Sequence, residues 1–160
     1  MKEYDVITIG SGCGLIINDQ AISDGLKAAL VDRGPLGGTC LNLGCIPSKM
    51  LIYPADVVTV IRDAAKLGIV AEIKEIDFAA IMERMRETIA RDQEQIRLGL
   101  GEIKELDYYQ SEACFESDYT LNCNGKLIIS KKIFIATGSR PLIPPIKGLD
   151  KADHLTNESV

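Results

Sequence analysis

The chain has 160 residues, 46% hydrophobic and 26% charged, with three Phe and no Trp; that is about one domain's worth of foldable chain, which excludes a disordered tail and most complete multidomain machines. Eighteen basic against twenty-three acidic side chains give a formal charge of -5, which excludes the broad basic face that nucleic acid requires. The longest apolar runs, such as Leu127 to Ile129 and Ile133 to Ala136, fall far short of the roughly 20 residues of a membrane helix, and Met1 to Asp5 lacks a secretory start; no membrane span and a cytoplasmic address are expected.

Tyr4 to Ile9 is a β-branched run that leads straight into Gly10-Ser11-Gly12-Cys13-Gly14, and an apolar helical pattern resumes from Leu15 to Leu26. Lys27 to Asp32 returns as a small apolar strand ending on a carboxylate, with Gly34 and Pro35 as breakers. Strand, glycine turn, helix and strand make a βαβ unit with parallel strands. The segment from Pro35 to Cys45 is rich in Gly and Cys. Pro47 is placed to begin a helix carrying Leu51, Val57, Ile61 and Leu67, closed by Gly68. Asp77 is a plausible N-cap for a longer helix to Leu100, with Ile81, Met85, Ile89, Ile96 and Leu100 as its apolar stripe and Glu83, Arg84, Glu87 and Arg91 facing water. Residues 106 to 136 alternate as strands, with Asn122 to Gly125 as a turn, and Ile133 to Ala136 is a buried strand closed by Thr137-Gly138-Ser139-Arg140-Pro141. The Pro-containing, polar end reads as a linker.

Two places carry chemistry. In a nucleotide-binding βαβ turn the first glycine makes the turn, the second admits a pyrophosphate, and the third lets helix pack on strand. Gly10 and Gly12 fill the first two roles. The third position falls on Leu15, so Gly14 stands in only partly. Any tight βα connection can use glycine, but Asp32, 22 residues after Gly10, is placed to accept hydrogen bonds from a ribose, which favours a dinucleotide. Cys13 in this turn reads as a small packing residue.

The second place is Gly37-Gly38-Thr39-Cys40-Leu41-Asn42-Leu43-Gly44-Cys45-Ile46-Pro47-Ser48-Lys49. Helical positions five apart hold their Cα atoms roughly 8 to 9 Å apart, whereas a disulfide needs less than about 7 Å. A Cys40–Cys45 bridge therefore requires a break in the helix, which Gly44 permits. A helix N-terminus and Lys49 would favour thiolate, so a low thiol pKa and a reducible bridge are expected of a catalytic dithiol. The alternative is two inert buried cysteines. Five cysteines are an odd number in a chain without an export signal, and no C-x-x-C pair is present, which argues against a disulfide framework and against zinc; no metal site is expected.

The run Gly37 to Lys49 resembles the redox-disulfide motif of the class I FAD-dependent pyridine nucleotide-disulfide oxidoreductases, the family of dihydrolipoamide dehydrogenase, glutathione reductase, mycothione reductase and mercuric reductase. Ala136 to Pro141 resembles that family's second FAD-contacting motif, and Gly10-Ser11-Gly12 with Asp32 its first. The resemblance implies an α/β Rossmann-like FAD-binding domain with a parallel sheet, a helical insertion and a small antiparallel β-meander. By the same likeness Gly10, Gly12 and Gly14 hold the FAD pyrophosphate, and Asp32 the adenosine ribose, with Arg33 beside it. Gly38, Thr39 and Gly44 line the flavin, Lys49 approaches the isoalloxazine, Thr137 and Gly138 close over the cofactor, and the backbone of Ala113 faces adenine. Cys40 is then the interchange thiol and Cys45 the thiol against the flavin.

The resemblance further implies that electrons pass between a dithiol or disulfide substrate, lipoamide being weakly favoured, and NAD(P). Family members continue into an NAD(P) domain and an interface domain, and form homodimers. The expected organisation is therefore an incomplete FAD-binding domain over 1–145 and a linker over 146–160, inactive by itself, with a stand-alone flavin-binding or thiol redox module, or a relative of the mercuric, mycothione or glutathione reductase type, as the alternatives. His154, with Glu158 four residues on, does not match the family's catalytic His-Glu pair and is read as an exposed linker residue.

Overall fold

The architecture of residues 1–159 is described from a computed structural model. The βαβ unit consists of β2 (Val6–Ile9), α1 (Gly14–Ser23) and β3 (Ala28–Val31), preceded by a two-residue strand β1 (Lys2–Glu3). β2 and β3 are parallel, with Val6 opposite Ala28 and Ile9 opposite Val31. Two later strands, β4 (Leu106–Tyr109) and β8 (Ile133–Ile135), join the same sheet on either side, giving the all-parallel order β4-β3-β2-β8. Parallel strands need crossovers on their faces, so the middle of such a sheet is covered on both sides. Ala28 to Val31 are accordingly all 0% exposed, which is why that strand reads as an unbroken apolar run.

On one face, Ile7, Ala29 and Val31 pack with Tyr4 and with Leu121, Cys123 and Ile128 of the second sheet. On the other, Val6, Ala28 and Leu30 pack with Ala21 of α1, Leu36 and Leu100. The second sheet, ordered β1-β7-β6-β5, is the antiparallel meander β5 (Cys114–Ser117), β6 (Thr120–Cys123) and β7 (Lys126–Ile129), with β1 added in parallel to β7. Its hairpin turn is tighter than the expected 122–125: Asn122 and Cys123 stay in the strand, and Asn124 and Gly125 turn alone with φ of 51° and 84°, the two positive values that a two-residue hairpin needs. The first strand also starts later than its composition suggests. Lys2–Glu3 goes to the second sheet and the chain crosses over at Tyr4, whose hydroxyl donates to Asp107 and accepts from Tyr109, each at 2.5 Å. Lys2 pairs with the same Asp107 carboxylate.

The insertion is a short helix α2 (Gly38–Asn42), a long helix α3 (Cys45–Asp63) continued by a 3-10 turn (Ala64–Leu67), and α4 (Phe78–Glu102). Pro47 sits in the first turn of α3, where its missing N–H costs nothing, and Gly68 stops the 3-10 turn in the left-handed region at φ 79°. Asp77 caps α4 by accepting from the amide of Ala80 at 2.9 Å. Of the expected stripe, Met85 and Leu100 are buried and Ile81, Ile89 and Ile96 half-buried, while Glu83, Arg84, Glu87 and Arg91 are exposed. α3 has no buried residue. The helical stretch Gly38–Leu67 is long and apolar enough, by length and composition, to cross a membrane, although Lys49, Pro54 and Asp56 leave it no long continuous apolar run. It is broken at Leu43 and Gly44 and packs against α4.

Candidate flavin and disulfide site

The carboxyl ends of β2, β3 and β8 come together, the edge at which open parallel sheets bind ligands. There the chain turns at Gly10, with φ 104°, and a Cβ at this position would overlap the Ala136 carbonyl at the end of β8. Gly12 lies against Gly38: a Cβ on Gly38 would stand 2.5 Å from the Gly12 Cα, and Gly38 also has a positive φ of 62°. The first glycine motif and the cysteine segment therefore meet backbone to backbone.

Gly14 performs the third glycine's task more fully than expected. It is buried, it is the first residue of α1, and a Cβ there would lie 2.5 Å from Cγ2 of Thr8 on β2 and 3.6 Å from the Cβ of Ala136. Leu15 is free to be large because it sits in the helix-side cluster instead. Cys13 is exposed rather than packed, since it occupies the N-cap position of α1 and points out of the turn.

Asp32 ends β3 under the same loop. One carboxylate oxygen accepts from the amide of Ser11 at 2.6 Å and the other from Gly34 at 2.7 Å. Ser11, 1% exposed, accepts at its Oγ from the amide of Gly37 at 3.0 Å. This link between the glycine turn and the cysteine segment was invisible in the sequence, where a serine between two glycines carries no signal. Arg33 points outward and pairs with Glu112 at 2.9 Å, next to Ala113, which is half-buried against the inter-sheet core. Thr137 and Gly138 follow β8 and are exposed, with the amide of Thr137 beside Gly10.

The cysteine segment breaks where the geometry required. α2 ends at Asn42, Leu43 and Gly44 leave the helix, and Cys45 is the first residue of α3. Gly44 has no room for a side chain, since a Cβ would lie 2.9 Å from the Thr39 carbonyl. Cys40 and Cys45 are exposed free thiols, near enough for Cys45 to shift the titration of Cys40. The expectation of a low thiol pKa is corrected for Cys40. Its hydrogen bond to Cys45, then desolvation and the charge of Cys45, hold its pKa above the ordinary thiol value, and the Cys45 amide and Lys49 only partly offset this. Lys49 stands one turn along α3 and is exposed. The remaining pair, exposed Cys114 and buried Cys123, lies away in the meander, and burial pushes the Cys123 thiol up. His154 is exposed, its Nδ1 beside the Ala152 carbonyl. Among the described residues no group of three His, Cys, Asp or Glu side chains converges on a metal position.

The cradle fits a flavin dinucleotide. Gly10, Gly12 and Gly38 let the turn, the end of β8 and the cysteine segment approach backbone to backbone, no side chain caps the N-terminus of α1, and no acidic residue stands in its first turn, so the positive end of the helix suits a pyrophosphate.

The family model described as pyridine nucleotide-disulphide oxidoreductase matches residues 4–159. The chain belongs to this family. It is 32% identical over 158 residues to a mercuric reductase of Lysinibacillus sphaericus, covering 98% of this chain and 29% of that protein. It is 34% identical to mycothione reductase of Mycobacterium tuberculosis, covering all of this chain and 36% of that one. It is also 34% identical to dihydrolipoyl dehydrogenase of Chlamydia trachomatis, over 88% of this chain and 31% of that protein. Among solved structures, the HOCl-induced flavoprotein disulfide reductase RclA of Escherichia coli, as its Cu(II) complex, superposes with a TM-score of 0.71 at 26% identity, over 91% of this chain and 30% of that one. The chain thus spans about a third of the length of these relatives. FAD is the family's cofactor, with NAD(P) as its partner in complete members.

Proposed function

We propose that the chain is the FAD-binding, disulfide-carrying portion of an oxidoreductase that moves electrons between a small dithiol or disulfide and a pyridine nucleotide. The observation that carries this reading is the Cys40–Cys45 thiol pair, formed across the α2–α3 break two residues beyond the Gly38 contact with the glycine turn. Gly10, Gly12 and Gly14 would hold the pyrophosphate, Asp32 the ribose with Arg33 beside it, and the Ala113 backbone the adenine. Gly38, Thr39, Gly44 and Lys49 would line the flavin, with Thr137 and Gly138 over it. When bound, FAD supplies two-electron exchange between the reduced pair and the nicotinamide.

The chain's own part is thiol–disulfide exchange. A substrate thiolate attacks Sγ of Cys40 in the oxidised pair, breaking the Cys40–Cys45 bond. Cys45 leaves as thiolate at the first turn of α3, where the helix dipole favours negative charge. The second substrate thiolate attacks the substrate sulfur bonded to Cys40, closing the substrate disulfide and releasing Cys40. Two electrons have then passed to the pair. The raised pKa of Cys40 suits this end state, in which the released Cys40 thiolate takes up a proton from solvent.

We take a dithiol of the dihydrolipoamide type as the substrate, residues 1–145 as the FAD domain with 146–160 leading onward, the complete protein as a homodimer, and the cytoplasm as its place. A second reading, a metal–thiol or mycothiol-type disulfide substrate, is favoured by the identity with mercuric and mycothione reductases over 98–100% of the chain. The test is to add FAD to the full chain and titrate with dihydrolipoamide. A long-wavelength charge-transfer band is expected on reduction, lost in Cys45→Ser with FAD still bound. Colourless protein whose pair is reversibly reduced supports the stand-alone module instead. Loss of FAD binding and the band together in Cys45→Ser overturns the role given to Cys45.

A further inference from the structure

Between the two cysteines lies Asn42, a residue that the sulfur chemistry leaves without a task. Its Nδ2 donates to the carbonyls of Leu36 at 2.9 Å and Gly38 at 2.8 Å, tying the last residue of α2 back to the turn that begins it. Its Oδ1 accepts from Nε2 of Gln93 at 2.5 Å. An asparagine amide has two donor hydrogens and one carbonyl oxygen, so every polar atom is engaged and one orientation is selected. Gln93 sits on α4, half-buried, 51 residues away in sequence. Among the described residues this is the only side-chain hydrogen bond between α4 and α2. α4 also packs along α3. One 25-residue helix thus frames both halves of the redox segment, holding α3 by packing and α2 through Gln93.

Only Leu43 and Gly44 separate α2 from α3, so the orientation of α2 sets how often the Cys40 sulfur faces that of Cys45. We propose that Gln93 is a positioning residue for the Cys40–Cys45 couple, bracing Asn42 so that the thiols stay within reach and the disulfide form is favoured. The inference rests on the redox role given to this pair above. Releasing the brace lets the dithiol explore arrangements that the disulfide must exclude; the effective concentration of one sulfur at the other falls, and the bridge becomes easier to reduce.

The test is equilibrium exchange of the full chain with reduced and oxidised dithiothreitol, read by alkylation of Cys40 and Cys45 and mass analysis. In each exchange the Cys40–Cys45 bond breaks, dithiothreitol closes its own disulfide, and its two electrons and protons pass to the cysteines. In Gln93→Met, which keeps an unbranched side chain without a donor, the constant for forming the bridge is expected to fall about tenfold, a potential about 30 mV less reducing, with native circular dichroism. A folded Gln93→Met whose constant lies within twofold of wild type, even with a lowered melting temperature, overturns the proposal. Should this variant not fold, Gln93→Ala, which places the best helix former there, is read in the same way. Failure of both to fold makes Gln93 a structural residue and overturns the proposal too. A wild-type pair that forms no reversible bridge overturns the proposed function itself, and this inference with it.

Discussion

Gly14→Ala tests how the glycine turn is held against the sheet. The added Cβ lies 2.5 Å from Thr8 Cγ2, more than 1 Å inside ordinary carbon–carbon contact, and both residues are buried. Overpacking of this kind costs about 1–3 kcal/mol. Replacing glycine by alanine in a helix returns up to about 1 kcal/mol, less at the first position. A net loss of about 1–2 kcal/mol is expected. Thr8→Ser removes the obstructing methyl and by itself should cost about 1 kcal/mol in lost burial and cavity. In the double variant the next atoms stand at 3.6 and 3.8 Å, ordinary contact, so its cost should stay near that of Thr8→Ser alone. The two changes should therefore couple favourably by about 1–2 kcal/mol. Urea unfolding of the four proteins, followed by circular dichroism, measures this cycle, and FAD retention in the same set reports on the cradle. Additive effects within about 0.5 kcal/mol, or a Gly14→Ala variant as stable as wild type, would refute the assignment of Gly14 as the close-packing glycine.

Asp107→Asn should destabilise the chain by about 1–2 kcal/mol at neutral pH, because it weakens the tie of Lys2 and Tyr4 to the edge of the parallel sheet. Burial pushes the Asp107 carboxyl up, but the hydrogen bonds from Lys2 and Tyr4 and the nearby lysine charges outweigh it and hold the pKa below the usual carboxylate range. This contribution is present above a pH of about 4 and lost as the pH falls through the lowered value; urea midpoints between neutral and acid pH should converge for wild type and Asp107→Asn, and a constant gap would contradict the sign. Alkylation of Cys40 should reach half its maximal rate at a higher pH than a free thiol, move down in Cys45→Ala and up in Lys49→Met; pH–rate profiles resolved by peptide mass check all three. Asp77→Ala removes the cap of α4 and should cost about 1 kcal/mol, read as a shift of the urea midpoint at unchanged slope.

Local chemistry is legible from residue order alone. The β-branched run before Gly10, the carboxylate 22 positions later and the helix cap at Asp77 each act within a few residues of themselves, so strand, turn and helix follow from composition and period. The break between Cys40 and Cys45 follows likewise, because helical rise alone forbids the bridge. Other features need partners that chain order does not name. That Gly14 rather than position 15 packs on the strand depends on where α1 starts and on the methyl of Thr8. Lys2–Glu3 enters the second sheet because Tyr4 finds Asp107 and Tyr109 more than 100 residues away. The same distance effect hides the Ser11–Gly37 and Asn42–Gln93 bonds and reverses the sign expected for Cys40: a helix end and a lysine pull the thiol down, but a second sulfur, brought close only by the fold, outweighs them. The sequence by itself determines which residues can do dinucleotide and sulfur chemistry. Tertiary structure decides which of them touch, because burial and hydrogen bonding across the sheet edge are set by long-range pairing and not by local propensity.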